Sequence, residues 1–429
     1  MPFSTLGLSP ALVRAANALG YVQPTPIQVQ AVPEILQGKD LSGLAQTGSG
    51  KTAAFCLPLL QRLQDAGHPH NRSSITVLIL VPTRELAAQL GEVIHGISQH
   101  LPVSVKTTVV FGGVSINPQM MGLRGGADIV VATPGRLLDL IDQNALSLAA
   151  VKTLVLDEAD RLLDLGFADE LARILKLLPP QRQSLFFSAT YDLRVQALAD
   201  TLLRNPIRIE VDGTPETLPD IAQRAVEVDT SRRTQLLRHL IQQHKWTRVL
   251  VFVATKHAAE IVADKLRKAN IWAEPFHGTL SQGKRTQVLH DFKNSGVEGV
   301  PGIQVVVATD LAARGIDIAE LPVVVNYDLP RASTDYVHRI GRTARAGQSG
   351  IAVSFISQDT AAHFALIEKR FGLSLIREQI VGFEPVEVDA PALLPVTSID
   401  APRNAASGAG TGGIKGKRLS KKDKLRASR

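Results

Sequence analysis

Short apolar runs alternate with longer helical stretches along most of this chain of 429 residues. Runs rich in β-branched residues occur at 75–81, 107–111, 128–132, 184–188, 248–253, 303–308 and 323–327. Because these runs are continuously apolar, they predict strands of sheets that helices cover on both faces. Alternation of strands and helices over such a length indicates parallel α/β units.

The alternation breaks at residues 210–220. Two prolines, one glycine and several acidic residues make this segment a poor helix or strand and a good linker. We therefore predict a first domain at residues 1–209, a linker at 210–221 and a second domain at 222–385. Each side of the linker has enough predicted strands for one open sheet.

Positive charge is concentrated at the C-terminal end. Residues 386–429 form a predicted flexible extension, which is basic from 401 onwards with nine Lys/Arg and one acid. The formal net charge of the whole chain is +7, so the rest of the chain is nearly neutral. We expect this Gly-, Ala- and Ser-rich segment to be disordered when free and to attract phosphate backbones. A solubilising tail or a targeting signal is the alternative.

Composition also bears on the cellular location. No apolar run reaches the ~18–20 residues of a membrane span, and the N-terminus lacks the features of a secretory signal, so we expect a cytoplasmic protein. Cys56 is the only cysteine, so no internal disulfide can form. Its apolar, helical context predicts a small core residue.

A glycine-rich stretch and an acidic box together predict a nucleotide site. Residues 45–52, AQTGSGKT, can present backbone N–H groups to phosphate oxygens, and Lys51 adds a positive charge toward the β- and γ-phosphates. Asp157 follows the apolar run 151–156, where its carboxylate can hold the Mg²⁺ to which Thr52 offers a hydroxyl. Glu158 can then polarise an attacking water. This pair of motifs is typical of nucleoside-triphosphate hydrolases.

About ten motifs in the same order and spacing resemble those of the DEAD-box ATP-dependent RNA helicases, over roughly residues 3–355. The motifs include GYVQPTPIQ at 20–28, AQTGSGKT at 45–52, PTREL at 82–86, TPGR at 133–136, DEAD at 157–160, SAT at 188–190 and HRIGRTAR at 338–345. The chain looks most similar to compact bacterial members with a short basic C-terminal extension. The resemblance implies two tandem RecA-like domains, each a parallel sheet flanked by helices, and a disordered basic tail.

The resemblance implies roles for the residues of the ATP site. Tyr21 would stack on the adenine and Gln28 would read its edge. The phosphates would contact Ala45, Gln46, Thr47, Gly48, Ser49, Gly50, Lys51 and Thr52, and the ribose would contact Asp317. Alanine at the first position of this loop departs from the general P-loop pattern and agrees with the family.

The resemblance also implies a catalytic set that spans both domains. Lys51, Asp157 and Glu158 of the first domain would be completed by Arg339 and Arg342, which would reach across the cleft to the γ-phosphate. Arg342 would be the arginine finger, a role worth ~10³–10⁵ in rate in other P-loop enzymes.

RNA contacts and interdomain coupling are implied for further residues. The likeness assigns RNA binding to Arg84, Gly113, Thr133, Arg136, Thr309 and Asp310. It assigns coupling between the two domains to Asp160, Ser188, Thr190, His338 and Arg345. Ala344 stands where the family more often has glycine, and this departure leaves the placement of Arg345 open.

The sequence therefore predicts an ATP-dependent RNA helicase that uses ATP and Mg²⁺ and binds RNA through its backbone, with little sequence preference. ATP-driven closure of the two domains would open short duplexes locally or remodel RNA–protein complexes. Two alternatives remain: a DNA-translocating helicase of the same superfamily, and a non-catalytic ATP-gated RNA clamp or annealing scaffold. The sequence does not name the RNA, and ribosomal and mRNA complexes both remain open.

Overall fold

The computed structural model describes residues 2–45, 49–67, 75–211, 221–295, 302–313, 321–343 and 350–386. Their strands form two sheets that follow one another along the chain. We call each sheet with its helices a lobe. Most of the predicted linker and nearly all of the predicted extension lie outside the described residues.

The sheet of lobe 1 is parallel throughout. Its strands are β1 (Leu41–Leu44), β2 (Val77–Leu80), β3 (Thr107–Val110), β4 (Ile129–Ala132), β5 (Thr153–Leu156), β6 (Gln183–Ser188) and β7 (Ile207–Glu210). They lie in the order β3–β4–β2–β5–β6–β1–β7. Strand β7 ends at Glu210, one residue beyond the predicted end of the first domain.

The helices of lobe 1 follow a 3₁₀ turn at Phe3–Leu6. They are α1 (Pro10–Ala18), α2 (Pro26–Leu36), α3 (Lys51–Asp65), α4 (Arg84–Ser98), α5 (Asn117–Leu123), α6 (Pro134–Asp142), α7 (Ala159–Asp164), α8 (Ala168–Leu177) and α9 (Leu193–Leu202). Ser9, Thr83 and Asp192 accept hydrogen bonds from the first turns of α1, α4 and α9. These side chains fix where the helices begin.

Lobe 2 repeats the parallel arrangement. Its strands are β8 (Ala222–Glu227), β9 (Val249–Val253), β10 (Ala273–Phe276), β11 (Val305–Thr309), β12 (Val323–Asn326), β13 (Ile351–Ile356) and β14 (Arg377–Gln379). They lie in the order β10–β11–β9–β12–β13–β8–β14, with parallel pairing throughout.

The helices of lobe 2 cover both faces of its sheet. After a 3₁₀ turn at Thr230–Arg232 they are α10 (Arg233–Gln243), α11 (Lys256–Arg267), α12 (Gln282–Lys293), α13 (Asp310–Ala313), α14 (Ser333–Ile340) and α15 (Gln358–Phe371). No helix of the described residues is both long enough and apolar enough to cross a bilayer.

Burial explains why the strands are continuously apolar. Strands β2, β4 and β5 are buried at every position, and side chains of opposite parity enter separate apolar clusters on the two faces of the sheet. The sheet of lobe 2 is covered in the same way. The predicted two-sided parallel sheets are therefore confirmed.

Cys56 lies in the core of lobe 1, as its context predicts. It is buried on α3 among the apolar residues behind the first sheet. Burial raises the pKa of its thiol, and the charge of Asp157 adds to the rise. A thiol in such surroundings stays protonated and is inert.

Candidate nucleotide and RNA site

The predicted site residues gather at one edge of the first sheet. The phosphate loop follows β1, Asp157 follows β5, and Ser188 ends β6. Because β5, β6 and β1 are adjacent and parallel, their carboxyl ends meet at the same edge. This is the edge at which open α/β sheets bind ligands.

The start of α3 forms the end of the phosphate loop. Gly50 has a φ of 92°, and a Cβ there would lie 2.4 Å from Gln28 Nε2, so glycine is required. Lys51 is the first residue of α3 and is buried. Its Nζ donates to the carbonyl of Ala45 at 2.6 Å, across the mouth of the loop. The lysine is therefore held over the place where phosphates would lie.

The remaining residues of the loop are only partly described. The Ser49 hydroxyl is buried and has no hydrogen-bond partner among the described residues. Thr52 is the second residue of α3 and is half-buried. The predicted phosphate contacts Gln46, Thr47 and Gly48 lie outside the described residues.

Gln28 connects the predicted adenine-reading segment to the phosphate loop. Its Oε1 accepts from the backbone N–H of Thr25 at 3.0 Å, and its Nε2 donates to the carbonyl of Gly50 at 3.0 Å. The side chain is buried, whereas Tyr21 is half-buried against the core of lobe 1. Reading adenine would therefore use the second N–H and the second lone pair of the Gln28 amide.

Asp157 is a buried carboxylate beside the phosphate loop. Its backbone N–H donates to the carbonyl of Leu80 at 3.0 Å, which ties the acidic box to β2. Burial raises the pKa of Asp157 to about 6, against the opposing attraction of Lys51, and the charge of Glu158 adds to the rise. The ionised form of the Asp157 carboxyl is therefore unfavourable in this buried place, and a second cation nearby would stabilise it.

Glu158 has an unusual backbone conformation. Its φ of 51° lies in the left-handed region, which costs a non-glycine residue about 1–2 kcal/mol. The residue is buried, and its carboxylate lies 3.3 Å from the guanidinium of Arg161 on α7. Backbone strain at a buried acidic residue beside a phosphate loop is typical of a catalytic position.

One of the two hydroxyls of the SAT motif joins that motif to the acidic box. Thr190 Oγ1 donates to the carboxylate of Asp160 at 3.1 Å. Ser188 donates instead to the carbonyl of Thr190 at 2.7 Å. Ser188 therefore supports Thr190, and Thr190 alone meets Asp160.

Two of the predicted RNA residues in lobe 1 touch each other. Gly113 has a φ of 77°, and a Cβ there would lie 2.0 Å from the guanidinium of Arg84, so this guanidinium lies against the Gly113 backbone. Arg84 begins α4 immediately after the end of β2. The pair places a cation and exposed backbone at the site edge of the sheet.

The other two predicted RNA residues of lobe 1 are buried. Thr133 precedes α6, and its N–H donates to the carbonyl of Val110 at 3.1 Å. Arg136 donates to the carbonyl of Val114 at 2.9 Å and lies 3.4 Å from Asp139. Arg136 thus holds the loop after β3, so any contact that it makes with RNA would first have to expose its guanidinium.

Arg339 is placed differently from the prediction. Its guanidinium donates twice to Asp310, at 2.6 and 2.7 Å, and also to the side chain of Asn326 and the carbonyl of Asp328. It also lies 4.9 Å from the centre of the Phe252 ring. The side chain is 2% exposed and each of its three nitrogens already has an acceptor, so contact with a γ-phosphate would require Arg339 to give up some of these hydrogen bonds.

The network around Arg339 also changes the interpretation of Asp310. Thr309 ends β11 and Asp310 begins α13, as expected for residues at a strand's carboxyl end. Both carboxylate oxygens of Asp310 accept from Arg339, so a contact with RNA would have to use their remaining lone pairs. Arg339 and Asp310 instead hold α13 and α14 together.

His338 and Arg342 lie at a cleft between the lobes. The lining residues are Arg161 of lobe 1 and Phe252, Asp310, Ala313, Asp335, His338, Arg339 and Arg342 of lobe 2. The cleft is narrow and open to solvent. Because Arg161 pairs with Glu158, this cleft brings Arg342 close to the acidic box. The predicted Asp317 and Arg345, and the unusual Ala344, lie outside the described residues.

A buried ion pair joins the two lobes. Glu85 on α4 lies 2.9 Å from Arg285 on α12, and their side chains are only 8% and 5% exposed. Burial lowers the pKa of the Arg285 guanidinium, against the attraction of Glu85. Since Glu85 follows Arg84 in sequence, this contact links lobe 2 to the segment predicted to grip RNA.

Several of these site residues could not be assigned from the sequence. Arg161 directly follows the acidic box, which is the one local signal that could have suggested a partner for Glu158. Asn326 and Asp328, which accept from Arg339, lie in a different strand and loop. The partnership of Glu85 and Arg285 spans 200 positions and has no local signal. The described residues contain no cluster of three or more metal-binding side chains.

Comparison with known proteins identifies the family to which the chain is related. The DEAD/DEAH box helicase family model matches residues 25–198, and the helicase conserved C-terminal domain model matches residues 232–347. The chain is 39% identical over 389 residues to the ATP-dependent rRNA helicase RRP3 of Gibberella zeae, covering 89% of this chain and 77% of that protein.

A bacterial relative and a solved structure agree. The chain is 39% identical over 367 residues to the DEAD-box ATP-dependent RNA helicase CshA of Bacillus cereus, covering 86% of this chain and 67% of that protein. The structure of S. cerevisiae Dbp5 bound to RNA and ADP BeF3 matches with a TM-score of 0.77 at 30% identity, over 88% of this chain and 95% of that chain.

Two parallel sheets with a phosphate loop and an acidic box define an ATPase built from tandem RecA-like domains. The chain belongs to the DEAD-box family of ATP-dependent RNA helicases. The predicted fold, enzyme class and family are therefore confirmed, and a clamp without hydrolysis is not favoured.

Proposed function

We propose that this helicase closes its two lobes on one RNA strand when ATP binds, and releases the strand when ATP is hydrolysed. The observation that carries the proposal is the cleft that Arg342 of lobe 2 lines together with Arg161, the partner of Glu158 in lobe 1. A nucleotide held by the phosphate loop would extend toward this cleft. RNA-bound Dbp5 with ADP BeF3 supports RNA as the strand that is gripped.

ATP binding is assigned to the residues at the carboxyl end of β1. Lys51, already held over the loop by Ala45, would exchange that carbonyl for the β- and γ-phosphates. The unpartnered Ser49 hydroxyl and the amide groups at the start of α3 are further donors for the phosphates. Gln28 and Tyr21 would hold the adenine, and Asp317 the ribose.

The residues present fit a magnesium ion bound to the nucleotide. Asp157 is a buried carboxylate whose pKa is raised because burial outweighs the attraction of the one nearby cation, Lys51. Thr52 supplies a hydroxyl at the same end of α3. One carboxylate and one hydroxyl are a sufficient protein share for Mg²⁺, which prefers phosphate oxygens and water for its remaining ligands. When bound, the ion would neutralise charge that develops on the phosphates.

Hydrolysis is assigned to Glu158 and Arg342. Glu158 would orient the attacking water, and its strained backbone and its pairing with Arg161 fix where its carboxylate points. Arg342 would stabilise the charge that develops on the transferred phosphoryl group. Arg339 is reassigned as a positioning residue, because it anchors α14, the helix that ends two residues before Arg342.

RNA gripping is assigned to the loops at the same edge of both sheets. Arg84 and the Gly113 backbone are the best placed contacts in lobe 1, with Thr133 and Arg136 supporting them. Thr309 is the corresponding residue in lobe 2. Since these groups address phosphates and sugars, the grip would be largely independent of sequence. Because linkage is reciprocal, RNA must tighten ATP binding as much as ATP tightens RNA binding.

The substitution Glu158→Gln tests the hydrolytic assignment. The variant should bind ATP and RNA as the parent does and should lose RNA-stimulated release of phosphate. The matched control is Glu34→Gln, which removes a surface carboxylate paired with Lys39. Phosphate release that survives in Glu158→Gln would assign the orientation of water to another group. Comparing RNA with single-stranded DNA as the stimulating strand tests the choice of nucleic acid.

A further inference from the structure

Lobe 2 carries a basic and aromatic surface far from the cleft. Lys245 and Arg248 lie just before β9, and Arg267 and Lys268 lie shortly before β10. We name residues 244–248 and 267–272 the tryptophan edge, because both tryptophans of the chain lie there.

Hydrogen bonds connect these two segments through Gln304, just before β11. The carbonyl of Trp272 accepts from the N–H of Gln304, and the carbonyl of Gln304 accepts from the N–H of Val249, both at 2.9 Å. The side chain of Gln304 donates to the carbonyl of Trp246 at 2.6 Å. Strands β10, β11 and β9 are adjacent in that order, so Trp272 and Arg248 are about 10 Å apart across the sheet.

The tryptophan edge lies opposite the nucleotide cleft. It precedes β9 and β10, whereas the cleft residues follow the carboxyl ends of the strands of lobe 2. Since β9 has five residues at about 3.3 Å each, about 17 Å separates the two edges of the sheet. The surface is therefore distinct from the ATP and RNA residues described above.

Trp272 is an unusual residue to find at this position. It is 49% exposed, although large aromatic side chains are normally buried by a neighbour. Among the described residues no aromatic ring or cationic group stacks on its indole. The guanidinium of Arg267 donates to the carbonyl of Ala273, the residue after Trp272, at 3.1 Å. An exposed indole next to a cation can receive a nucleic-acid base and its phosphate.

Charge around Trp272 is predominantly positive. His244 and Lys245 are exposed, and the His244 ring stacks on the Trp246 ring with centroids 5.5 Å apart. Lys268 is also exposed, and it pairs with Asp264 at 2.7 Å. Favourable placement of cations at the carboxyl ends of α10 and α11 accounts for some of these residues. It does not account for a half-exposed tryptophan among them.

We propose that the tryptophan edge is a second RNA-contact surface. A base of a single strand that extends beyond the cleft would stack on Trp272, and its phosphates would meet Lys245 and Arg267. The inference rests on the proposed function only in taking RNA as the partner. Its consequence is that the enzyme holds long strands more tightly than the cleft alone would allow.

Tryptophan fluorescence provides a direct test. In a Trp246→Phe background, Trp272 is the only remaining tryptophan, and Trp246 is a core residue that phenylalanine can replace. A short single-stranded RNA that spans only the cleft should leave this fluorescence unchanged. The same RNA extended in steps should quench it once the strand reaches the edge. Absence of quenching at every length would overturn the proposal.

Affinity measurements provide the second test, on the full chain. Trp272→Ala should lower the affinity for the extended RNA relative to the short one by about fivefold or more, and Trp272→Phe should restore it. Lys245→Gln should reduce the salt slope for the extended RNA by about 0.7. Ile376→Ala and Lys369→Gln, exposed substitutions elsewhere on lobe 2, should change neither ratio nor slope.

The two measurements separate the possible outcomes. An unchanged ratio of affinities in Trp272→Ala overturns the RNA surface and leaves a protein partner as the alternative occupant. ATPase stimulation by the short RNA reports on the cleft by itself. Loss of that stimulation in the parent enzyme would count against the proposed function, whereas an unchanged ratio in an active enzyme counts against this inference alone.

Discussion

Asp157 is a buried carboxyl group at the predicted nucleotide site, and its burial lowers the stability of the nucleotide-free protein. Its carboxylate is buried, and its pKa is raised to about 6 because desolvation outweighs the attraction of Lys51. The unfolded chain has the ordinary pKa of 3.8, so between these two values the folded state holds the proton more tightly. The stability of the nucleotide-free protein is therefore reduced as the pH rises through this window.

The substitution Asp157→Asn should stabilise the nucleotide-free protein at pH 7.5. The gain should be at most about 3 kcal/mol, since the pKa difference is about two units and each unit corresponds to about 1.4 kcal/mol. It should shrink toward zero below about pH 3, where the carboxyl of the parent is mostly protonated in both the folded and the unfolded state. Urea unfolding of the parent and the variant at several pH values measures this difference in the free energy of unfolding. Asp142→Asn, an exposed substitution, should show no such pH dependence.

Arg339 and Arg342 lie three residues apart and should respond differently to the same substitution. Arg339→Gln removes a buried guanidinium from Asp310, Asn326 and the carbonyl of Asp328, and should destabilise the fold by about 3–5 kcal/mol. Arg342→Gln should change the free energy of unfolding by about 1 kcal/mol or less and lower turnover by about 10³-fold or more.

Unfolding curves and single-turnover ATP hydrolysis on the two variants give the comparison. A stable, inactive Arg339→Gln would return Arg339 to the catalytic set. An active Arg342→Gln would remove the arginine finger from the mechanism.

The end of the phosphate loop connects helix α3 to helix α2. Helix α3 begins after Gly50, and the carbonyl of Gly50 accepts from Gln28 on α2. The side chain of Gln28 also caps its own helix by accepting from Thr25. A change in the loop would therefore be transmitted to α2 and to the segment predicted to read adenine.

The substitution Gly50→Ala should weaken both the fold and ATP binding. The new Cβ would lie 2.4 Å from Gln28 Nε2, in addition to the cost of a positive φ, so a loss of about 2–3 kcal/mol is expected. Gly166→Ala is the matched control, because Gly166 has a φ of 83° and no atom within 4 Å of the added Cβ. Equal losses of stability in the two variants would show that contact with Gln28 is unimportant.

Glu85 and Arg285 form the buried ion pair that joins the two lobes. Each side chain is buried in the contact, so removing one partner leaves the other charge unpaired in a poorly solvated place. Arg285 also lies 4.8 Å from the centre of the Phe276 ring, which fixes its position in lobe 2. The pair is therefore well placed to make the RNA grip depend on lobe closure.

A double-mutant cycle on Glu85→Gln and Arg285→Gln tests this coupling. The gain in RNA affinity produced by a non-hydrolysable ATP analogue should fall about 5–150-fold in each single variant. The double variant should lose no more than either single one, because both remove the same contact. Lys284→Gln, which disrupts the neighbouring pair with Glu274, serves as the control. Additive losses would mean that the two residues act independently.

Local signals in the sequence determined much of this protein. Apolar runs predicted the strands, because strands buried on both faces need apolar residues at every position. The alternation of strands and helices predicted two parallel sheets, because parallel strands need crossover connections. Turn residues placed the phosphate loop, the acidic box and the RNA loops at strand ends. The family resemblance placed Asp160 and Thr190 in the same set of coupling residues, and the structure joins them by a hydrogen bond from the Thr190 hydroxyl.

Only the tertiary structure decided which side chains are already hydrogen-bonded or ion-paired within the protein. The acceptors that saturate Arg339, the ion pair of Glu85 with Arg285, and the surface that joins Lys245 to Trp272 all unite distant parts of the chain. Such contacts depend on distances of a few ångströms between elements, and the periodicity of a sequence does not determine those distances. The sequence names the residues able to do chemistry, and folding determines which of them remain available for it.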